Sequence, residues 1–71
     1  MRQDFDILIE RDSEGYYVAS VPTLPGCHTQ ARSLDELSER IREAILLYLE
    51  VEGDPPESLD FVGIQRVSIA P

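Results

Sequence analysis

Between Gly15 and Glu50 the chain runs through an aromatic and β-branched stretch, a proline turn, a short polar stretch and a capped amphipathic helix. The helix constrains the fold most. Ser33 is a suitable N-cap and Glu36 follows three residues later, which predicts a capping box. Asp35 and Glu36 put negative charge into the first turn, where the helix dipole favours it. Leu34, Leu37, Ile41, Ala44, Ile45, Tyr48 and Val51 recur at i, i+3 and i+4 and form one apolar stripe. Gly53 is placed to end the helix, and Pro55 and Pro56 prevent its continuation. The second half, AILLYLEV, is apolar nearly all the way round. Leu46 projects roughly opposite the centre of the stripe at about 100° per residue. A single surface leucine is ordinary. With Leu47 and Leu49 beside it, however, Leu46 predicts a self-association patch.

The strands are read from their alternation. Phe5, Ile7 and Ile9 alternate with Asp4, Asp6 and Glu10, the period of a half-buried strand. Leu8 breaks the polar face and points to a central strand partly covered on both sides. Arg11-Asp12-Ser13-Glu14-Gly15 is a turn cluster in which Gly15 can take positive φ. Tyr16 to Val21 supplies a second strand, so residues 5–21 form a hairpin. Pro22 ends that strand because it cannot donate to the ladder. Pro22-Thr23-Leu24-Pro25-Gly26 then turns the chain, and Cys27 to Arg32 reads as a short edge strand. Beyond the linker Asp54–Ser58, Phe61 to Ile69 reads as a last strand. Its alternation slips near Gly63 to Gln65, as at a β-bulge.

The expected fold is therefore α+β in the order β-β-β-α-β. The first three strands form an antiparallel meander. A right-handed crossover through the helix would bring the fourth beside the first, in the order 3-2-1-4. Residues 1–71 make one domain, since a chain this short buries only about 60% of its extended surface. Self-association is the expected supplement to so small a core. Cys27 is the single cysteine, so no disulfide can form within the chain. A lone thiol and no apolar export run or membrane-length segment fit a reducing cytoplasm.

Fourteen acidic residues against six basic give a net charge of −8. Such a surface repels phosphate backbones, which argues against direct nucleic-acid binding. It fits either a well-hydrated soluble surface or one that meets a basic protein. The chemistry-bearing constellations are sparse. Asp4, Asp6 and Glu10 share a strand face and would suit a Mg²⁺-dependent nuclease, but solvated side chains on an alternating strand explain them as well. Cys27 and His28 make only half a zinc site. Adjacent strand residues also point to opposite faces, so they do not pair as nucleophile and base. Cys27 reads as a small buried residue. Tyr16, Tyr17 and Tyr48 fit core packing with surface hydroxyls, because base stacking would need a positive groove. No metal, cofactor or catalytic set is expected. Leu24, between two prolines, reads as an exposed and rigid contact point for a partner.

Taken in order, Gly15-Tyr16-Tyr17-Val18-Ala19, Pro22-Thr23-Leu24-Pro25-Gly26-Cys27, Thr29, Ser33-Leu34-Asp35-Glu36 and Glu43 to Glu50 resemble the N-terminal domain of HicB antitoxins. The resemblance covers nearly the whole chain. Family members often carry Gly-Asp-Thr before the helix where this chain has Ala31-Arg32-Ser33. They also usually carry a C-terminal DNA-binding domain, which would follow where this chain stops at Pro71. The resemblance implies a trimmed RNase H-like fold without nuclease activity. It further implies a protein that binds and neutralises HicA, a small basic RNA-cleaving toxin. The expected partner-binding residues are Leu24 and the acidic helix residues Asp35, Glu36, Glu39 and Glu43; Leu46, Leu47 and Leu49 are expected to join copies of the chain. Two alternatives stand beside this. One is a minimal metal-dependent nuclease using Asp4, Asp6 and Glu10. The other is a DNA-binding regulator, for which only the scattered Arg2, Arg11, Arg32, Arg40, Arg42 and Arg66 are available.

Overall fold

A computed structural model describes residues 3–54 and 59–70. Its elements are β1 (Leu8–Arg11), β2 (Tyr17–Ser20), β3 (His28–Ala31) and α1 (Leu34–Glu52). Both sequence-predicted turns form. Asp12 builds the first: its Oδ1 accepts the backbone N–H groups of Glu14 and Tyr16, each at 2.9 Å. Gly15 takes φ 90° there, a region closed to most side chains. The antiparallel hairpin this turn closes pairs Ile9 with Ala19 and Arg11 with Tyr17. A second antiparallel pairing sets Ala19 against Thr29 and Tyr17 against Ala31.

The proline segment is two nested turns. The Leu24 N–H donates to the Val21 carbonyl at 3.0 Å, and the Cys27 N–H donates to the Leu24 carbonyl at 2.9 Å. Pro22 and Pro25 each take the second position of their turn, where a fixed φ is useful. Gly26 follows Pro25 with φ 82°, as a type II turn requires. Folding around Leu24 at both turns drives its side chain inward. It is 0% exposed and lies in the core with Ala19, Val21, Cys27, Ala31, Leu37 and Ile41. The expectation of an exposed Leu24 is overturned; the prolines hold the outer corners and the leucine fills the inside.

The helix begins as its sequence predicts. Ser33 is extended at φ −134°, and its Oγ accepts the Glu36 N–H at 3.1 Å. At the other end the Gly53 N–H donates to the Leu49 carbonyl at 3.0 Å, with φ 78°. The stop assigned to Pro55 and Pro56 lies outside the described residues. Leu37 and Ile41 are buried, Ala44, Ile45, Tyr48 and Leu49 are partly so, and Leu34 and Val51 at the stripe's ends stay exposed. Arg40 ties the helix to the sheet by donating from Nη1 to the Gln30 carbonyl at 3.1 Å.

The helix lies over β3 and β2 and does not reach β1. Paired residues share a face, so the helix side carries Ile9, Ala19 and Thr29 with Arg11, Tyr17 and Ala31. The opposite face carries Leu8, Ser20 and His28 with Glu10, Val18 and Gln30, a mostly polar set.

The four-stranded sheet of order 3-2-1-4 is not what forms. The sheet has three strands in the order β1-β2-β3. Residues 59–70 pair with nothing in the sheet, and Val62 and Ile69 are 95% and 81% exposed. Alternation reports which residues suit a pleated surface, but a strand also needs a neighbour for its N–H and C=O groups. The first strand is likewise shorter than expected, beginning at Leu8 rather than Phe5. Phe5 and Ile7 still pack against the core.

Candidate protein-interaction surface

The helix offers three surfaces around its circumference. Its outermost side carries Asp35, Glu36, Glu39 and Glu43, all exposed. Among the described residues, Glu36 has a cationic neighbour: its Oε1 lies 3.4 Å from Arg40 Nη2, an exposed i,i+4 pair. Such a pair is worth only about 0.3–0.5 kcal/mol, so this side remains available to a cationic partner.

The flank nearer β1 is mostly apolar. Residues Gln3 to Ile7 pass alongside the helix and leave a groove of about 520 Å³ between the two. Phe5, Ile7, Ile41, Ile45, Leu46 and Leu49 line it together with the polar Gln3, Asp4 and Arg42. Leu46 is 58% exposed. Gln3, which lines this groove, donates from Nε2 to Asp54 Oδ1 at 3.4 Å, so the helix exit sits beside Gln3.

The flank over β3 is a shallower hollow of about 260 Å³. Cys27, Ala44, Leu47, Tyr48 and Val51 contribute to it, and Leu47 is 61% exposed. Leu46 and Leu47 therefore serve opposite flanks of the helix. Leu49 is partly buried against the core. The three leucines expected to form one patch are split by the 100° step between successive helical residues.

The remaining sequence candidates fall elsewhere. Cys27 is buried and His28 is exposed. Burial pushes the Cys27 thiol above its ordinary value of 9.0, which disfavours the thiolate that nucleophilic or metal chemistry requires. Asp4, Asp6 and Glu10 are exposed. Among the described residues, no three of His, Cys, Asp or Glu come close enough to hold a metal ion. Tyr17 and Tyr48 pack against the core as expected. Tyr16 does not: Arg32 Cζ stands 4.7 Å from its ring centroid, and Arg32 Nη2 donates to its hydroxyl at 2.8 Å. That ring face is already taken by a guanidinium. Among the described residues, no helix is long and apolar enough to cross a membrane.

Residues 5–64, from the groove through the helix and into the tail, match the family described as the HicB-like antitoxin of bacterial toxin–antitoxin systems. The chain belongs to the HicB-like antitoxin family. Relatives called UPF0150 proteins agree. One from Archaeoglobus fulgidus is 58% identical over 65 residues, spanning 92% of this chain and 93% of the relative. One from Synechocystis sp. is 44% identical, spanning 96% and 97%. One from Thermotoga maritima is 36% identical, spanning 97% and 93%. The HicB-like match thus covers every described element, including both flanks of the helix, and an antitoxin family has a toxin as its partner.

Sequence reasoning missed the groove. Phe5 and Ile7 were legible as apolar positions of an alternating strand, but not as the wall of a groove beside the helix. The missing information was where the helix sits across the sheet.

Proposed function

We propose that this protein neutralises a basic, HicA-type RNA-cleaving toxin by direct protein–protein contact, acting in the cytoplasm as a homo-oligomer and not as an enzyme. Membership of the HicB-like antitoxin family carries the reading. The net charge of −8 supports it. A toxin that grips RNA must present cationic groups, and an acidic partner can occupy them. Asp35, Glu36, Glu39 and Glu43 are assigned to that contact, since they stand together on the exposed side of α1. Leu24 is withdrawn from the contact because it fills the core. Leu46 and Leu47, on separate flanks, are assigned to contacts between copies, with Leu49 supporting Leu46 from beneath.

Charge of this kind acts chiefly on encounter. Electrostatic steering raises association rates well above the neutral range of about 10⁵–10⁶ M⁻¹s⁻¹, and added salt removes the gain. The test is titration of this protein into the RNA-cleavage reaction of a HicA-type toxin encoded beside it. Cleavage should stop at a fixed stoichiometry, and Glu39→Lys/Glu43→Lys should slow association. Undiminished cleavage with no complex at low salt would refute the reading.

A further inference from the structure

We infer that the C-terminal segment, residues 59–70, adds as a strand to the open β1 edge of a second copy, laying its apolar side chains into that copy's groove. The first observation is surface area. The chain exposes 6199 Å², whereas a folded monomer of its 8.0 kDa exposes roughly 4,450 Å². The excess of about 1,700 Å² is ample, since a stable interface takes about 800 Å² from each partner. The radius of gyration agrees: it is 13.8 Å, against roughly 11 Å for a compact domain of this length.

The second observation locates the excess. Val62, Ile64, Val67 and Ile69 are all strongly exposed. They fall on one face of an extended chain if Gln65 and Arg66 together oppose a single partner residue, which is what a β-bulge does. That face is a ready-made apolar strand, lacking only a neighbour. The segment holds one acid, Asp60, and one base, Arg66, so it can approach a strongly acidic body without net repulsion.

The third observation is the receiving site. Among the described residues β1 is an edge strand, with β2 on one side and no strand on the other. Such an edge offers unpaired N–H and C=O groups to any extended peptide. The helix stops short of β1, leaving Ile9 exposed and the groove of Phe5, Ile7, Ile45 and Leu46 open along that edge. A strand laid on β1 places alternate side chains over this groove. Because every copy owns one tail and one edge, the exchange closes as a two-fold dimer. This differs from a fourth strand within one chain, and it explains why Leu46 faces solvent.

The reading rests on the self-association proposed above and is independent of the toxin's identity. It is tested on the full-length chain by sedimentation velocity and by nuclear Overhauser spectroscopy on a mixture of ¹³C-labelled and unlabelled copies. The wild type should sediment as a dimer at micromolar concentration. Methyl groups of Val67 and Ile69 should show contacts to Phe5 and Leu46 of the other copy. Ile64→Asp/Val67→Asp should sediment as a monomer that keeps its helical circular dichroism and loses only the strand signal of the exchanged tail, since neither side chain belongs to the core. A monomeric wild type would overturn both self-association and the exchanged strand. A dimer that survives the double substitution would leave self-association standing and overturn the tail's part in it. Contacts confined to one chain, or appearing only after a basic toxin is added, would also overturn the exchange.

Discussion

Replacing Leu24 with alanine separates the structure from the simplest reading of the sequence. As an exposed contact point, the residue would matter to a partner and hardly to folding. In the structure it is 0% exposed, one of two large side chains fully buried in a core of seven residues. Removing a buried leucine side chain costs about 2–5 kcal/mol, made up of lost transfer energy and the cavity left behind. The nested turns on both sides, with Pro22 and Pro25 at their corners, restrict collapse into that cavity and favour the middle of the range, about 3 kcal/mol. A domain of this length has a total stability of roughly 4–10 kcal/mol. The substitution therefore removes between a third and most of it. At about 4–8 °C per kcal/mol for a domain of this size, the midpoint should fall by roughly 12–24 °C. The assay is thermal unfolding followed by circular dichroism at one fixed protein concentration, because assembly shifts apparent stability. Pro25→Ala serves as the control; it changes mainly the unfolded chain's freedom and should cost about 1 kcal/mol or less. A Leu24→Ala variant as stable as the wild type but unable to bind its toxin would refute the buried assignment.

Other consequences are smaller. Ser33→Ala loses the 3.1 Å bond to the Glu36 N–H and should destabilise the fold by about 1 kcal/mol in urea titration. Cys27 should resist alkylation in the native state and react fully once unfolded. Its folded thiol titrates above the unfolded value near 9.0, so its contribution is intact below that pH and is lost as pH rises through the folded value. The urea midpoint should accordingly decline in strongly alkaline solution, and Cys27→Ala should remove that part of the decline. Arg32→Ala strips the guanidinium from Tyr16 and should cost about 0.5–1 kcal/mol, as exposed cation–π contacts do, with a change in tyrosine fluorescence as a second readout.

The local grammar of this chain was legible because each signal acts over a few residues. Ser33 and Gly53 mark the helix ends, Asp12 and Gly15 make the first turn, and Pro22, Pro25 and Gly26 make the second. The meander of three strands followed from those turns. What failed was long-range. The alternation in Phe61 to Ile69 states that the segment suits a sheet but not whose sheet it joins, and within the chain it joins none. Leu24 misled for a related reason. Proline on both sides signals a surface turn, yet two successive turns have an inside as well as an outside, and the residue shared between them points in. The site was half legible: the acidic residues of α1 are exposed at their expected positions, while the groove depends on the helix lying over β2 and β3 and leaving β1 bare.

Growth rescue tests the central claim most directly. The proposed partner, a basic HicA-type RNase, is expressed from an inducible promoter with and without this protein. The account predicts that co-expression restores growth. It also predicts that Asp35→Lys/Glu39→Lys/Glu43→Lys, at matched expression and unchanged helix content, fails to restore it. Continued growth arrest beside abundant, folded wild-type protein would contradict the account, as would full rescue by the charge-reversed variant.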